Sequence, residues 1–358
     1  MKKIIFAAVS LLIFLSVTSC TNDDIVINTD NKVNDVNVTV SLSNFFQSYN
    51  YNDTYHGIEV SEYFRTFYSE YEWEIQTRTL IYDSNGLLVD SLVSYSTNTN
   101  AVTNTKKLGD GKYTFVSTLT FAFKKDDGSY ESMWDLADKE NLATANLQMY
   151  WNQHLWSIMS YDAKEVTIAK GQTTDVNMQP SPIGALAYMY LQNFCYKNEA
   201  DYPNKDDNGI RLLALFSRNK AVGYKLNPKA TDKYVYLDAT GSNSWYYLSS
   251  PLEPSDFSDD WTFFQSNLFT YFYILGPNPR IQFGYVLEGE DSFHGYGEQT
   301  CNLKSGEVYL AYWDYFKVGN PYFGLADNNH WNKYNARAPR SVQNEFNMLP
   351  CKMILKNR

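Results

Sequence analysis

The feature that most limits the fold is the alternation of apolar and polar residues along extended stretches of the chain. In GKYTFVSTLTFAF, residues 111–123, aromatic and aliphatic side chains alternate with threonines. One face carries Tyr113, Phe115, Leu119, Phe121 and Phe123, and the other carries Thr114, Thr118 and Thr120. This period of two predicts a half-buried antiparallel strand.

Turn signals recur along the chain and follow one another closely in its first half. WEIQTRTLIYDSNGLLVDSLVSY, residues 73–95, has two strand-like runs around residues 83–86, where Asn and Gly tolerate the backbone of a tight hairpin. Further turn signals lie at residues 109–111 and 126–128, at Gly171 and at Gly306. Strands this close together, without alternating helices, exclude a doubly wound α/β fold and predict an all-β chain of antiparallel sandwiches. Only SMWDLADKENLATANLQMYWNQHLW, residues 132–156, has a mixed period, which we interpret as a helical insertion.

A domain boundary is predicted near Pro180-Ser-Pro182, because two prolines interrupt strand pairing. The preceding AKEVTIAKGQTTDVNMQ, residues 163–179, reads as a closing hairpin, and the following IGALAYMYLQNF starts a new strand. EQTCNLKSGEVYLAYW, residues 298–313, matches a strand, a glycine turn and a strand near the end of the second half. We therefore expect two tandem β-sandwich domains, an N-terminal one at 37–180 and an aromatic-rich one at 181–358.

The N-terminus has the pattern of an export signal. Lys2 and Lys3 precede an apolar run, residues 4–15, that is shorter than the roughly 20 residues of a transmembrane helix. Val17-Thr18-Ser19-Cys20 resembles the lipobox of bacterial lipoproteins, which implies that residues 1–19 are a signal peptide and that Cys20 carries the lipid, as a palmitate-type acyl anchor. Several acyl chains on one residue give stable anchoring. The alternative is an ordinary cleaved signal followed by an unmodified cysteine.

Residues 20–36 read as a lipidated tether, rich in Asn and Asp and without aromatic residues. Asp23-Asp24 resembles the acidic signal that sends lipoproteins of the Bacteroidetes to the cell exterior, and a plain solvated linker is the alternative. We expect the protein in the outer membrane, facing the outside. The formal charge is −10, and loss of the two lysines with residues 1–19 would make it −12. Because no basic cluster exceeds a lysine pair, nucleic acid is excluded as a partner.

The sequence gives little support for catalytic activity. The four histidines are scattered, no His-Glu-x-x-His helix or Gly-x-Ser-x-Gly elbow occurs, and one sequence cannot place two carboxylates in space. NKDDNG, residues 204–209, imitates the start of a calcium loop, but Leu215 stands where a bidentate Glu is needed, so a polar turn is the better interpretation. We expect no enzyme activity, no cofactor and no metal.

Three cysteines besides Cys20 remain, Cys195, Cys301 and Cys351. Disulfides are permitted outside the cytoplasm, and three thiols can form one internal bridge. Cys301 and Cys351 both lie in strand-like segments of the second domain and are the pair we select if a disulfide forms. Buried free thiols are the alternative.

Aromatic residues are dense in the second half of the chain. The sequence contains 30 Tyr, 21 Phe and 8 Trp, and in VYLAYWDYFKVGNPYFG, residues 308–324, both faces of the predicted strand are apolar or aromatic. One face must fill the core. The other, carrying Tyr309, Trp313 and Tyr315, is expected to pack against the neighbouring domain, and the alternative is an exposed platform for sugar rings.

The order of these features resembles a known family. A lipobox, LIYDSNGLLVDS, LGDGKYTFV and VTIAKGQTTDVNM running into IGALAYMYLQN are together similar to fimbrillin-type and fimbrial-anchor lipoproteins of the Bacteroidetes. The resemblance covers roughly residues 36–195 and implies two transthyretin-like sandwiches. In that family, polymerising subunits are trimmed after an arginine and joined by strand exchange, whereas anchor subunits keep their lipid. Here the first arginine after Cys20 is Arg65, which favours an anchor, tip or stand-alone adhesin.

The resemblance implies a lipid-anchored, non-catalytic structural or adhesive protein of the cell surface. Its expected partners are the membrane, through Cys20, and fimbrial subunits, a host or bacterial surface, or glycans. The alternative function is a surface glycan-binding lipoprotein of a polysaccharide-uptake system.

Overall fold

The structure is a computed structural model. It describes residues 33–47, 52–53, 58–59, 73–97, 100–149, 157–192, 210–218, 220–237, 246–247, 268–276, 279–287, 294–300, 302–314 and 322–325.

Strands account for almost all regular structure in these residues, with one short helix. Up to residue 182 the elements are β1 (Asn34–Ser41), α1 (Ser43–Gln47), β2 (Asn52–Asp53), β3 (Ile58–Glu59), β4 (Trp73–Tyr82), β5 (Leu88–Ser96), β6 (Ala101–Leu108), β7 (Gly111–Lys124), β8 (Tyr130–Ser132), β9 (Trp134–Ala137), β10 (Asn146–Met149), β11 (Met159–Ile168), β12 (Thr174–Met178) and β13 (Ser181–Pro182). From residue 183 they are β14 (Gly184–Gln192), β15 (Ile210–Arg218), β16 (Ala221–Lys225), β17 (Tyr234–Tyr236), β18 (Tyr246–Tyr247), β19 (Leu268–Leu275), β20 (Arg280–Leu287), β21 (His294–Thr300), β22 (Val308–Asp314) and β23 (Tyr322–Leu325). The predicted all-β fold is confirmed.

The same strand connectivity occurs twice. In the first half, β1 lies between β6 and β12, and the facing sheet runs β11-β7-β4-β5. In the second half, β14 lies between β19 and β22, and the other sheet runs β18-β15-β20-β21. In each case the first strand pairs antiparallel with one neighbour and parallel with the other, and in the second half β23 adds to the outer edge of β22. This repetition supports our proposal of two similar sandwiches divided near residue 180.

The two parallel pairings were not predicted. The run at residues 163–179 was expected to form a closing hairpin, and this is wrong. Its two strands, β11 and β12, lie in different sheets, because β12 pairs with β1 in parallel register from Val36↔Thr174 to Val40↔Met178. A strand pairing this distant in sequence leaves no local signal of the kind that a hairpin turn gives.

The helical insertion predicted at residues 132–156 is also wrong where the structure describes it. Residues 134–137 and 146–149 are the strands β9 and β10, which pair antiparallel from Asn146↔Ala137 to Met149↔Trp134. A second insertion, β16 and β17 in the other half, pairs with β10 to make the sheet β17-β16-β10-β9. This sheet is built from both halves of the chain, so we call it the shared sheet.

The shared sheet explains an error in the predicted burial of β7. Residues 114–122 are buried on both faces, including Thr114, Thr118 and Thr120, so the expectation of a half-buried strand is wrong although its alternation is correct. The face of β4, β7 and β11 that contains Thr118 also contains Tyr161, whose hydroxyl donates to the Leu226 carbonyl at 2.8 Å. Tyr161 also packs edge-on against Tyr224 of β16, at 5.2 Å between ring centroids.

The opposite face of the same strands packs against the sheet β12-β1-β6. Asp162 of β11 accepts a hydrogen bond from the Gln179 backbone at 2.7 Å, and Lys164 donates to the Asn177 carbonyl. The first half is therefore three layers deep. One hydrophobic cluster joins residues from both halves, among them Val38, Phe115, Trp134, Ile183 and Tyr273.

The predicted hairpin at residues 83–86 is confirmed. β4 and β5 pair from Ile75↔Ser96 to Tyr82↔Leu88, and Gly86 has a φ of +78°. The side chain of Asp83 accepts from the backbone of Asn85 and of Leu87, both at 2.9 Å. This Asx-type arrangement holds the turn in one conformation.

Candidate functional site

The N-terminal strand is the point at which the predicted lipid anchor meets the folded body. In β1, Val36, Val38 and Val40 are all at most 1% exposed and belong to the core cluster. On the other face of β1, Asn37 donates to Asp175 of β12 and accepts from Thr105 of β6, each at 2.9 Å. The strand is therefore held by its core side chains, its outer side chains and two neighbouring strands.

Most predicted site residues lie outside the described residues. These are Cys20, Tyr315, Cys195, Cys301, Cys351 and the calcium-like loop at 204–209. Within the described part of the chain, no group of three or more His, Cys, Asp or Glu residues is placed to hold a metal ion. No helix among the described residues is long and apolar enough to span a bilayer.

Tyr309 and Trp313 lie on β22, and the structure describes the side chain of Tyr309. Tyr309 is 4% exposed, and its hydroxyl accepts from the Lys304 backbone at 2.9 Å and donates to the Asn302 carbonyl at 3.2 Å. Its neighbour Val308, which points to the other face, is 5% exposed and belongs to the core cluster. At the start of β22 both faces are thus covered, so Tyr309 is not part of an exposed platform.

Sequence reasoning missed a cluster on the face of β4 that looks toward the shared sheet. Tyr95 of β5 and Tyr130 of β8 stack with ring centroids 3.7 Å apart and an interplanar angle of 11°. Tyr130 donates to Glu74 at 2.8 Å, and Gln76 donates to Tyr95 at 3.1 Å. Both rings are half-buried and keep part of their surface in solvent.

Arg78 lies on the same face, two residues further along β4, and is half-buried. Burial lowers the pKa of its guanidinium from the ordinary value, and Tyr95 and Asp135 act in the opposite direction. Together we call Glu74, Gln76, Arg78, Tyr95, Tyr130 and Asp135 the Arg78 cluster. The signal that could have revealed it is an arginine in the middle of the otherwise neutral strand run IQTRTLIY.

Comparison with known proteins gives structural similarity only. No protein-family model and no curated protein sequence matches the chain. The fold is similar to that of a candidate polysaccharide-binding protein from Bacteroides thetaiotaomicron, with 8% identity, 83% of this chain and 99% of that one covered, and a TM-score of 0.45. It is also similar to a candidate adhesin from Bacteroides ovatus, with 8% identity, coverage of 80% and 87%, and a TM-score of 0.43.

The fimbrial anchor protein of Porphyromonas gingivalis is a third similar structure, with 9% identity, coverage of 82% and 95%, and a TM-score of 0.42. The three structures are described as a polysaccharide-binding protein, an adhesin and a fimbrial anchor, all of the Bacteroidetes, the group that the sequence resembles. Because identity is below 10% and the TM-scores are below 0.5, no residue role is transferred from them.

Proposed function

We propose that the mature chain is a lipid-anchored structural or adhesive protein of the bacterial cell surface, of fimbrial-anchor or fimbrillin-like type and without catalytic activity. The observation that carries the proposal is the short distance in sequence between the lipobox cysteine and a strand locked into the core. Asn34, the first residue of β1, stands 14 positions after Cys20. A fully extended chain of this length reaches at most about 50 Å, so the lipid would hold the folded body close to the outer membrane.

The role of the two sandwiches in this proposal is mechanical. Force applied to a bound surface or fimbrial subunit would reach the lipid through β1, which is hydrogen-bonded along both edges. The shared sheet joins the two halves with backbone pairing between β10 and β16. These connections suit a protein that bears load, and its partners would be fimbrial subunits or a host or bacterial surface.

The anchor is tested by replacing the cysteine. The variant Cys20→Ala, labelled with a radioactive fatty acid in cells, should lose both the label and membrane attachment, because the lipid on Cys20 is the sole anchor. Cys195→Ala is the matched control and should keep both. Unchanged labelling of Cys20→Ala would overturn the lipoprotein assignment.

The alternative of a glycan-binding lipoprotein in a polysaccharide-uptake system is favoured by one observation, the partly exposed tyrosine stack of the Arg78 cluster. The two functions differ in their genetic setting. Genes for a porin partner next to this one would favour uptake, and genes for fimbrial subunits would favour the anchor or adhesin.

A further inference from the structure

The guanidinium of Arg78 has no hydrogen-bond or ion-pair partner among the residues that the structure describes. Among the residues that the structure describes, no hydrogen bond and no ion pair within 4.0 Å involves Arg78, although Asp135 is near enough to act on its pKa. A guanidinium has five N–H donors in a rigid fork. Half-burying such a group without a partner is unfavourable, which makes Arg78 a candidate for binding an anion from solution.

The stacked tyrosines beside Arg78 are held rigidly. The hydroxyl of Tyr130 is fixed by Glu74, and that of Tyr95 by Gln76, so neither ring can rotate out of the stack without losing a hydrogen bond. Because Gln76 and Arg78 are two residues apart on one strand, their side chains stand about 7 Å apart on the same face. The aromatic surface and the cation therefore lie on the same face of the sheet, on the neighbouring strands β4 and β5.

The residues around this surface are polar or open to solvent. Val93, directly across from Arg78 on β5, is 46% exposed, and Asp135 on the edge strand of the shared sheet is exposed. The carboxylate of Glu74 can accept hydrogen bonds from hydroxyl groups. A ring that carries hydroxyls and one carboxylate matches the aromatic, cationic and hydrogen-bonding groups of this surface.

We propose that the Arg78 cluster binds an acidic sugar, a uronic acid unit of a polysaccharide, with its carboxylate on Arg78 and its ring against the Tyr95–Tyr130 stack. Arg binds carboxylates through two parallel hydrogen bonds, which fixes the orientation of the ring. The proposal supplies a ligand class for the adhesive role above and rests on that role for its biological meaning. Binding itself is measured independently of anchoring.

The test uses the purified mature chain in detergent and a galacturonic acid oligomer, with affinity measured by calorimetry. Its fully methyl-esterified form is the ligand control, because it keeps the rings and loses the carboxylates. The unesterified oligomer should bind, and the ester should bind at least tenfold more weakly. Absence of binding, equal binding of the two oligomers, or equal binding of an Asp-rich peptide would overturn the proposal.

Variants separate a binding role of Arg78 from a structural one. Arg78→Gln should weaken binding about tenfold or more, whereas Lys107→Gln, which removes a 74%-exposed cation from another sheet, should leave it unchanged. Asp135→Asn should tighten binding about threefold at low salt, because a competing negative charge is lost. A folding defect cannot produce tighter binding, so this variant protects the test against misfolding.

The melting temperature completes the comparison. Because Arg78 has no partner to lose in the described part of the chain, Arg78→Gln should melt at the temperature of the wild type or higher. If Arg78 were a structural partner of Asp135, both Arg78→Gln and Asp135→Asn would melt lower and neither would change affinity, which would contradict the proposal. The membrane attachment of Cys20→Ala tests only the lipid anchor. The affinity for the oligomer is measured separately and does not depend on that result.

Discussion

The side-chain amide of Asn37 donates to Oδ1 of Asp175 across 2.9 Å, joining the N-terminal strand to a strand 138 residues later. On the opposite face of β1, Val36 and Val38 are buried in the core. The strand next to the predicted tether is thus one of the most firmly held in the first half.

Shortening a core side chain of β1 should destabilise the whole protein. Val38→Ala should lower the free energy of unfolding by about 2–3 kcal/mol, because it removes buried methyl groups and leaves a cavity. Thr39→Ala, on the outer face of the same strand, loses one exposed hydrogen bond to Thr103 and should cost less than about 1 kcal/mol. Urea unfolding of the mature chain measures both. Equal losses would show that β1 is not a core strand.

The shared sheet is tested at Gly223 of β16. A Cβ atom there would stand 2.6 Å from the Leu147 carbonyl oxygen of β10, a backbone atom that cannot move aside. Gly223→Ala should therefore lower stability by roughly 1–3 kcal/mol. Gly109→Ala is the control, since its nearest neighbour, the Tyr113 hydroxyl, would be at an ordinary 3.7 Å. Calorimetric melting that does not distinguish the two variants would contradict the pairing of β10 with β16.

A variant of Tyr309 distinguishes a role in the core from a role in a sugar-binding platform. Tyr309→Phe removes the hydroxyl that accepts from the Lys304 backbone and donates to the Asn302 carbonyl. The variant should lower the free energy of unfolding by about 1–3 kcal/mol without affecting binding to a polysaccharide panel. Tyr113→Phe removes a half-exposed hydroxyl bonded to the Gly109 carbonyl and should cost less. Lost polysaccharide binding at an unchanged melting temperature would instead place Tyr309 in a binding site.

Stability at low pH should depend on Glu165. Its carboxylate lies 2.6 Å from Lys112 and 2.5 Å from Lys229, and these lysines lower the pKa of Glu165 from 4.5 to about 2. Since the pKa is lower in the folded state, its stabilising effect is complete above about pH 4.5 and is lost as the pH falls towards 2.

The variant Glu165→Gln should therefore show a flatter dependence of unfolding free energy on pH in this interval. Glu131→Gln, which breaks an exposed pair with Lys125, corrects for the change in net charge. Acid unfolding followed by circular dichroism gives both curves. An identical pH dependence of wild type and Glu165→Gln would contradict the bridge.

The sequence predicted local structure well and long-range structure poorly. Alternation placed β7 correctly, and the turn at Asp83 and Gly86 gave the β4–β5 hairpin, because both signals lie within a few residues. The burial of Thr118 could not be predicted, since it depends on β10 and β16, which approach from distant parts of the chain. For the same reason the segment around Trp134 was mistaken for a helix, as short strands of an inserted sheet have little periodicity of their own.

The candidate functional residues also differ in whether they could be predicted from the sequence. The lipobox at Cys20 is a contiguous motif and is visible in one sequence. The Arg78 cluster joins β4, β5, β8 and β9, so only the fold brings Tyr95 to Tyr130. The aromatic run at Tyr309 attracted attention by its density, yet density alone does not distinguish a core strand from an exposed surface.

Lipid anchoring through an intact N-terminal strand is tested most sharply by the mass of the mature chain isolated from cell membranes. The anchored protein should begin at Cys20, carry the mass of its acyl groups, retain β1 and run as a single band on gels. A chain beginning near residue 60 or beyond, with a ladder of higher species, would show that the N-terminal strand is removed and that the protein polymerises, which would contradict the anchor.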